Sequence, residues 1–202
     1  MADEPRPALA VADPAPLGLA GFALTTFVLS AHNAGWAPDV VWIGLALFYG
    51  GAAQFLAGMW EFKNKNTFGA TAFATYGSFW FSLATFVLLQ LFGKGVPEAQ
   101  LLPALGWFLL AFAVFNTYML FWSTMVNVAV FLVFLTLEIT EILLFLGFFA
   151  GSVPLIHLGG DVGIVTAIVA WYASAAGVAN SMAPVRVLPV GAPLWKPGSG
   201  AR

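Results

Sequence analysis

Residues 99–137 read AQLLPALGWFLLAFAVFNTYMLFWSTMVNVAVFLVFLTL, 39 positions without a charged side chain. A helix rises 1.5 Å per residue, so about 20 apolar residues cross the hydrocarbon layer of a bilayer. The run is too long for one crossing and the right length for two. Its most polar interruption, Ser123-Thr124-Met125-Val126-Asn127, is where the chain would turn. Working outward, further uncharged stretches cover 14–38, 40–60, 66–93, 142–160 and 162–185. Helices are expected near 17–36, 40–61, 68–92, 101–122, 128–149 and 156–180.

Composition agrees with that division. Of 202 residues, 61% are hydrophobic and 8% charged, with a mean hydropathy of +0.92. A soluble domain carries about 25% charged residues to face water. The fold class is therefore an all-α integral membrane protein, a bundle of six transmembrane helices. Long continuous apolar runs exclude a β-barrel, whose strands alternate over short segments. Counting basic residues orients the bundle: Arg6, Lys63, Lys65, Arg186, Lys196 and Arg202 fall on one side and Lys94 on the other. Positive-inside counting then makes both termini cytoplasmic. Residues 1–16 and 183–202 are expected as cytoplasmic tails and 17–182 as the membrane domain. The Pro-rich segments 5–16 and 184–197 read as flexible, and the start lacks the basic and apolar pattern of a signal peptide.

Several chemistries are excluded. The chain has no cysteine and hence no disulfide, thiolate catalysis or cysteine zinc site. A net charge of −2 without a basic cluster argues against a nucleic-acid partner. No catalytic triad, phosphate loop or paired-histidine metal motif is present, so no enzyme activity, metal or cofactor is expected.

Polar residues at membrane depth carry the functional signal. Phe22, Thr26, Ser30 and Asn33 share one face of the first helix; Thr71, Thr75, Ser78 and Ser82 share one face of the third. Gln54 and Glu61 lie two turns apart on the second, and Glu61, like His157 and Asp161, is a candidate proton-relay group. Such stripes either line a lumen or bond back to their own helix carbonyls. Asn33 and Gln54 satisfy an amide less easily and are the stronger substrate contacts. No Lys or Arg falls within a span, so an anion would meet only hydroxyls, amides and helix N-termini. Glu138 and Glu141, one helical turn apart mid-membrane, serve either as a proton relay or as neutral acids bonded between helices. His157 and Asp161 form an i, i+4 pair that either senses pH or anchors the sixth helix.

Further motifs carry a resemblance. Asp13-Pro14-Ala15-Pro16-Leu17-Gly18-Leu19 resembles the NPAPLGL signature of the acetate uptake transporter family. The likeness continues through Gly21-Phe22, His32-Asn33, Phe48-Tyr49-Gly50-Gly51-Ala52-Ala53-Gln54, Ala57-Gly58, Glu61, Asn66-Thr67-Phe68-Gly69, Thr71-Ala72-Phe73 and Tyr76-Gly77-Ser78-Phe79-Trp80. It implies a homohexamer with a pore inside each protomer, carrying acetate or another small carboxylate, some members also succinate, by proton-linked uptake or a channel-like path. It also implies an apolar constriction of Phe22, Tyr76 and Leu135, and a substrate-size position at Ala170. Asp13 replaces the signature's leading Asn; either residue caps a helix before Pro14 at the first helical position, but a carboxylate repels an anion. Glu138 and Glu141 fall outside the family pattern. The expected function is uptake of acetate or short monocarboxylates through the plasma membrane. A passive pore for small anions or ammonia, and a sensor or scaffold without flux, are the other readings.

Overall fold

The computed structural model describes residues 11–196. Segments 1–10 and 197–202, with Arg6 and Arg202 of the orientation count, lie outside them. Six helices are long and apolar enough to cross a membrane: α1 (Ala15–Asn33), α2 (Ile43–Lys63), α3 (Thr67–Leu91), α4 (Glu98–Ser123), α5 (Val128–Ala150) and α6 (Val153–Met182). The expected boundaries hold to within a few residues, and α4 and α5 part at the polar interruption inside 99–137.

Local chemistry explains the ends. Asn66 and Asn127 accept from the backbone N–H of Gly69 and Val130, at 3.1 and 2.9 Å, capping α3 and α5. Gly151, at φ 59°, closes α5 in the left-handed conformation that favours glycine. Pro14 sits at the cap of α1 rather than at its first helical position. The Asp13 carboxylate accepts from the Ala15 N–H at 3.0 Å.

Burial runs opposite to that of a water-soluble protein. The largest fully buried side chains are Gln54, Glu61, Asn116, Thr25, Thr166 and Ser123, while Phe48 and Trp107 stand outward at 75% and 67% exposure. Lipid solvates the outward apolar residues; polar groups must find partners or cavities within.

α1 packs most extensively on α6, α5 joins α6 to α4, and α2 pairs with α3. The α1–α6 approach rests on Gly160, where an added Cβ would strike Ala34 N and lie 2.7 Å from Ser30 O. Within α2, Phe48–Ala53 is wound as a π-turn. It brings the Tyr49 carbonyl against Gly21, where a Cβ would lie 2.7 Å from that oxygen. Gln54 begins the next regular turn. The α3 and α4 backbones stay apart, and aromatic side chains span the gap: Phe79 meets Phe108 and Phe112 at 5.1 and 4.8 Å, and Tyr76 meets Phe115 at 5.5 Å.

The segment after α6 departs from the expectation of a flexible tail. Asn180 accepts from the N–H groups of Val187 and Leu188 and donates to Leu188 O at 2.9 Å. Tyr172 donates to Pro189 O at 2.6 Å. Helix ends supply the physical reason, since the first N–H groups and last carbonyls of a helix lack intrahelical partners. Ala129 N, in the first turn of α5, donates to Val190 O, and Thr124 O, just past α4, accepts from Leu194 and Trp195. The Pro-rich strand supplies those missing partners and is pinned by them.

Gly160→Ala is expected to destabilise the detergent-solubilised protein by about 1–3 kcal/mol through overpacking at the α1–α6 contact. Gly44, which has open space around its Cβ position, should accept Ala without loss. Thermal unfolding of the two variants side by side checks both.

Candidate functional site

Two cavities occupy the bundle. The first, about 350 Å³, opens at the face carrying the start of α1 and the end of α6. The starts of α1, α3 and α5 converge on it through Asp13 and Pro16, Asn66 and Gly69, and Asn127 and Val130. Helix N-termini carry partial positive charge, but Asp13, Asn66 and Asn127 already accept from N–H groups there, and the Asp13 carboxylate opposes an anion. Asn64, Asn180 and Val190 complete the mouth, and Gln54 lies on the wall. The Gln54 side chain is 1% exposed, and its Oε1 has no hydrogen-bond partner in the protein.

The second cavity, about 590 Å³, lies toward the opposite face. Thr26, Ser30, His32, Asn33, Asp39, Thr140, Glu141 and His157 bring polar groups to a wall otherwise made largely of leucine and aromatic side chains. Thr26 Oγ1 and Glu141 Oε2 are buried without partners. Among the described residues, no Lys or Arg lines either cavity.

Three residues belong to both walls: Phe22, Tyr76 and Leu137. The Phe22 and Tyr76 rings meet edge to face at 5.7 Å, and the three side chains are 4%, 4% and 6% exposed. A buried apolar pinch thus separates the two cavities. The resemblance implied Leu135 at this place. Leu135 is half-buried and on neither wall, and Leu137 stands there instead. Two residues along a helix turn a side chain by about 200°, so both leucines cannot face the pinch.

A polar network holds the pinch. The Tyr76 hydroxyl donates to Asn116 Oδ1 at 2.9 Å and lies 3.4 Å from Glu141 Oε1. Asn116 Nδ2 donates to Glu138 Oε2 at 2.7 Å and to Phe134 O at 3.0 Å. Thr117 donates to Glu138 Oε1 at 2.7 Å. Glu138 is thus bonded through both oxygens, whereas Glu141 has only the longer contact to the Tyr76 hydroxyl. Asn116 went unread in the sequence, although it is the one amide at mid-span in the α4 portion of the apolar run, Gln100 lying in the helix's first turn.

Other expected residues are distributed unevenly. The α3 hydroxyl stripe points away from the cavities: Thr71 and Thr75 are half-buried off the walls, and exposed Ser78 donates to Ala74 O at 2.8 Å. The inward face of α3 is instead Ala72, Tyr76, Phe79 and Leu83. Ser78 thus takes the self-satisfied alternative, and lumen-lining on α3 is corrected to that apolar face. Ala170 is fully buried in the cluster containing Phe22, Tyr76 and Leu137, but on neither wall. Glu61 is fully buried at the end of α2, accepting from Asn64 Nδ2 at 3.0 Å behind the first cavity. The His157–Asp161 pair is not made. His32 Nε2 instead lies 3.5 Å from Asp39 Oδ1, because the loop after α1 folds Asp39 back over the helix end. His157 faces the second cavity, while Asp161 is exposed off both walls. Within the signature, Asp13, Ala15, Pro16 and Leu19 line the first cavity, Pro14 is buried, Gly18 packs on Phe73 and Leu17 is exposed.

Comparison with known proteins places this arrangement. The family model described as GPR1/FUN34/yaaH matches residues 2–192. Acetate permease A of Emericella nidulans is 42% identical over 95% of this chain and 70% of its own length. The succinate-acetate/proton symporter SatP of Escherichia coli is 39% identical over 90% of this chain and 96% of its own. A solved structure of the bacterial acetate channel SatP superposes with a TM-score of 0.85 at 39% identity, covering 90% of this chain and all of the other. The class is a multi-pass membrane transport protein rather than an enzyme. The chain belongs to the GPR1/FUN34/yaaH family, the acetate transporter family of the sequence resemblance.

Leu137→Ala should join the two cavities and raise glycerol permeability of reconstituted vesicles, while Leu135→Ala leaves it unchanged. Stopped-flow light scattering reads the difference.

Proposed function

We propose that the protein carries acetate and related small monocarboxylates, with succinate at the upper end of its range, from one cavity to the other through the Phe22–Tyr76–Leu137 pinch. The observation behind this reading is that two cavities on opposite faces share those three side chains as their common wall. Gln54 meets the carboxylate in the first chamber; Thr26, Ser30 and Asn33 meet it in the second. The unpartnered Thr26 hydroxyl can donate to a carboxylate, and the unpartnered Gln54 oxygen can accept from the hydroxyl of the protonated acid; such groups cost about 1–3 kcal/mol when left unpaired.

Charge argues for proton linkage. An isolated carboxylate crossing a dry constriction loses its hydration without a fixed cation in return, whereas the neutral acid avoids that penalty. Glu141, on the wall of the second cavity and beside Tyr76, is placed to exchange the proton, with Glu138 behind it. Glu61, His157 and Asp161 lie outside this short chain, and Thr71, Thr75 and Ser78 outside the path. Termini in the cytoplasm, the plasma membrane as location and assembly as a homohexamer complete the reading; each path needs only its own protomer. An ammonia transport outward protein of Saccharomyces cerevisiae is 41% identical over 87% of this chain. The cation-free walls would pass a neutral amine as readily as a neutral acid, which keeps a passive pore as the second reading.

Labelled acetate uptake into proteoliposomes should accelerate when the outside is made acidic, and Gln54→Ala should slow it by about tenfold, the effect of losing one hydrogen bond to a charged group. Uptake indifferent to the pH gradient would favour the passive pore. No uptake at all would leave a sensor or scaffold.

A further inference from the structure

α3 and α4 are held apart, and Tyr76 reaches across from α3 to a single polar anchor on α4. That anchor, Asn116, has no exposed surface, and its amide is almost fully committed. Its two N–H groups go to Phe134 O and Glu138 Oε2 on α5, and its oxygen takes the Tyr76 hydroxyl. A flipped amide would set oxygen against oxygen at both α5 contacts and leave no acceptor for the phenol, so only one orientation satisfies the group. Glu138 is fixed in turn by Thr117, which binds α4 to α5 at the same level.

We propose that Asn116 is the positioning residue that sets the aperture of the pinch, and thereby which carboxylates pass. The inference rests on the transport reading above. A phenol has one proton and serves one acceptor at a time. Asn116 holds it at 2.9 Å, and Glu141 Oε1, at 3.4 Å on the second-cavity wall, is the other acceptor within reach. Once the Asn116–Tyr76 bond is lost from either side, nothing holds the ring in its edge-to-face contact with Phe22. The opening then favours longer chains more, relative to acetate, than the unaltered pinch does.

Uptake of labelled acetate and butyrate is measured in proteoliposomes for the unaltered chain, Asn116→Leu, Tyr76→Phe and the double variant, each first checked for folding by thermal unfolding. Asn116→Leu and Tyr76→Phe should each raise the butyrate-to-acetate ratio by about fivefold, the scale of one lost hydrogen bond. The double variant should do no more than either alone, because both remove the same bond. A merely structural loss would lower both rates together and leave their ratio fixed. If Asn116→Leu fails to fold, Tyr76→Phe, which keeps the ring, decides alone. A wild-type ratio in the folded variants, or a double variant whose change is the product of the singles, overturns the positioning role. Absence of acetate uptake by the unaltered chain sinks the transport reading and this one with it; normal acetate uptake with an unchanged ratio sinks this one alone.

Discussion

The hydrogen bond from Tyr76 to Asn116 joins two helices whose backbones do not pack, and the geometry of the bundle interior follows from it. With the phenol anchored, its ring lies edge-on to Phe22 and beside Leu137, and the two cavities end at that layer. The aromatic side chains Phe79, Phe108, Phe112 and Phe115 fill the rest of the α3–α4 gap. Offset and edge-to-face contacts of this kind add about 0.5–1.5 kcal/mol each beyond area burial, so the partition is stiff.

Around the pinch, polar groups divide into two kinds. Some close on one another: Asn116 with Glu138, Thr140 with Thr166 at 3.2 Å, Thr25 with its own helix carbonyl at 2.9 Å. Others, Gln54 Oε1, Thr26 Oγ1 and Glu141 Oε2, belong to residues on cavity walls and find no protein partner. The first kind holds the helices together where apolar attraction between them is weak. The second kind is what a conducted solute would meet. On the proposed reading, weak neutral dipoles suit passage better than capture, because a fixed cation would retain the anion it attracts.

The number and limits of the helices were readable because charges mark them and lipid thickness fixes their length; the caps Asn66, Asn127 and Gly151 emerged only with the structure. The α1 stripe of Phe22, Thr26, Ser30 and Asn33 was equally readable, since one face of one helix needs only a period. The α3 stripe misled for a physical reason. Hydroxyls at helical spacing satisfy themselves against the preceding turn, as Ser78 does, and so face lipid at little cost. Leu137 and Asn116 needed the third dimension. One leucine among many on α5 carries no mark of its own, and Asn116 gains meaning only beside Tyr76, forty residues earlier. The strand after α6 was missed likewise, because unpaired groups of α4 and α5, remote in sequence, supply its partners.

The central claim is that one dry layer divides the bundle into two chambers open to opposite faces. The chain has no cysteine, so an introduced thiol is unique. Leu19 and Thr26 flank Phe22 on α1, about 10 Å apart along the helix, and line the first and second cavities respectively. In sealed membranes, a water-soluble thiol reagent should label Leu19→Cys only from the face carrying the start of α1 and Thr26→Cys only from the other. Equal labelling of both variants from one face would show that no barrier lies at Phe22 and would contradict the account.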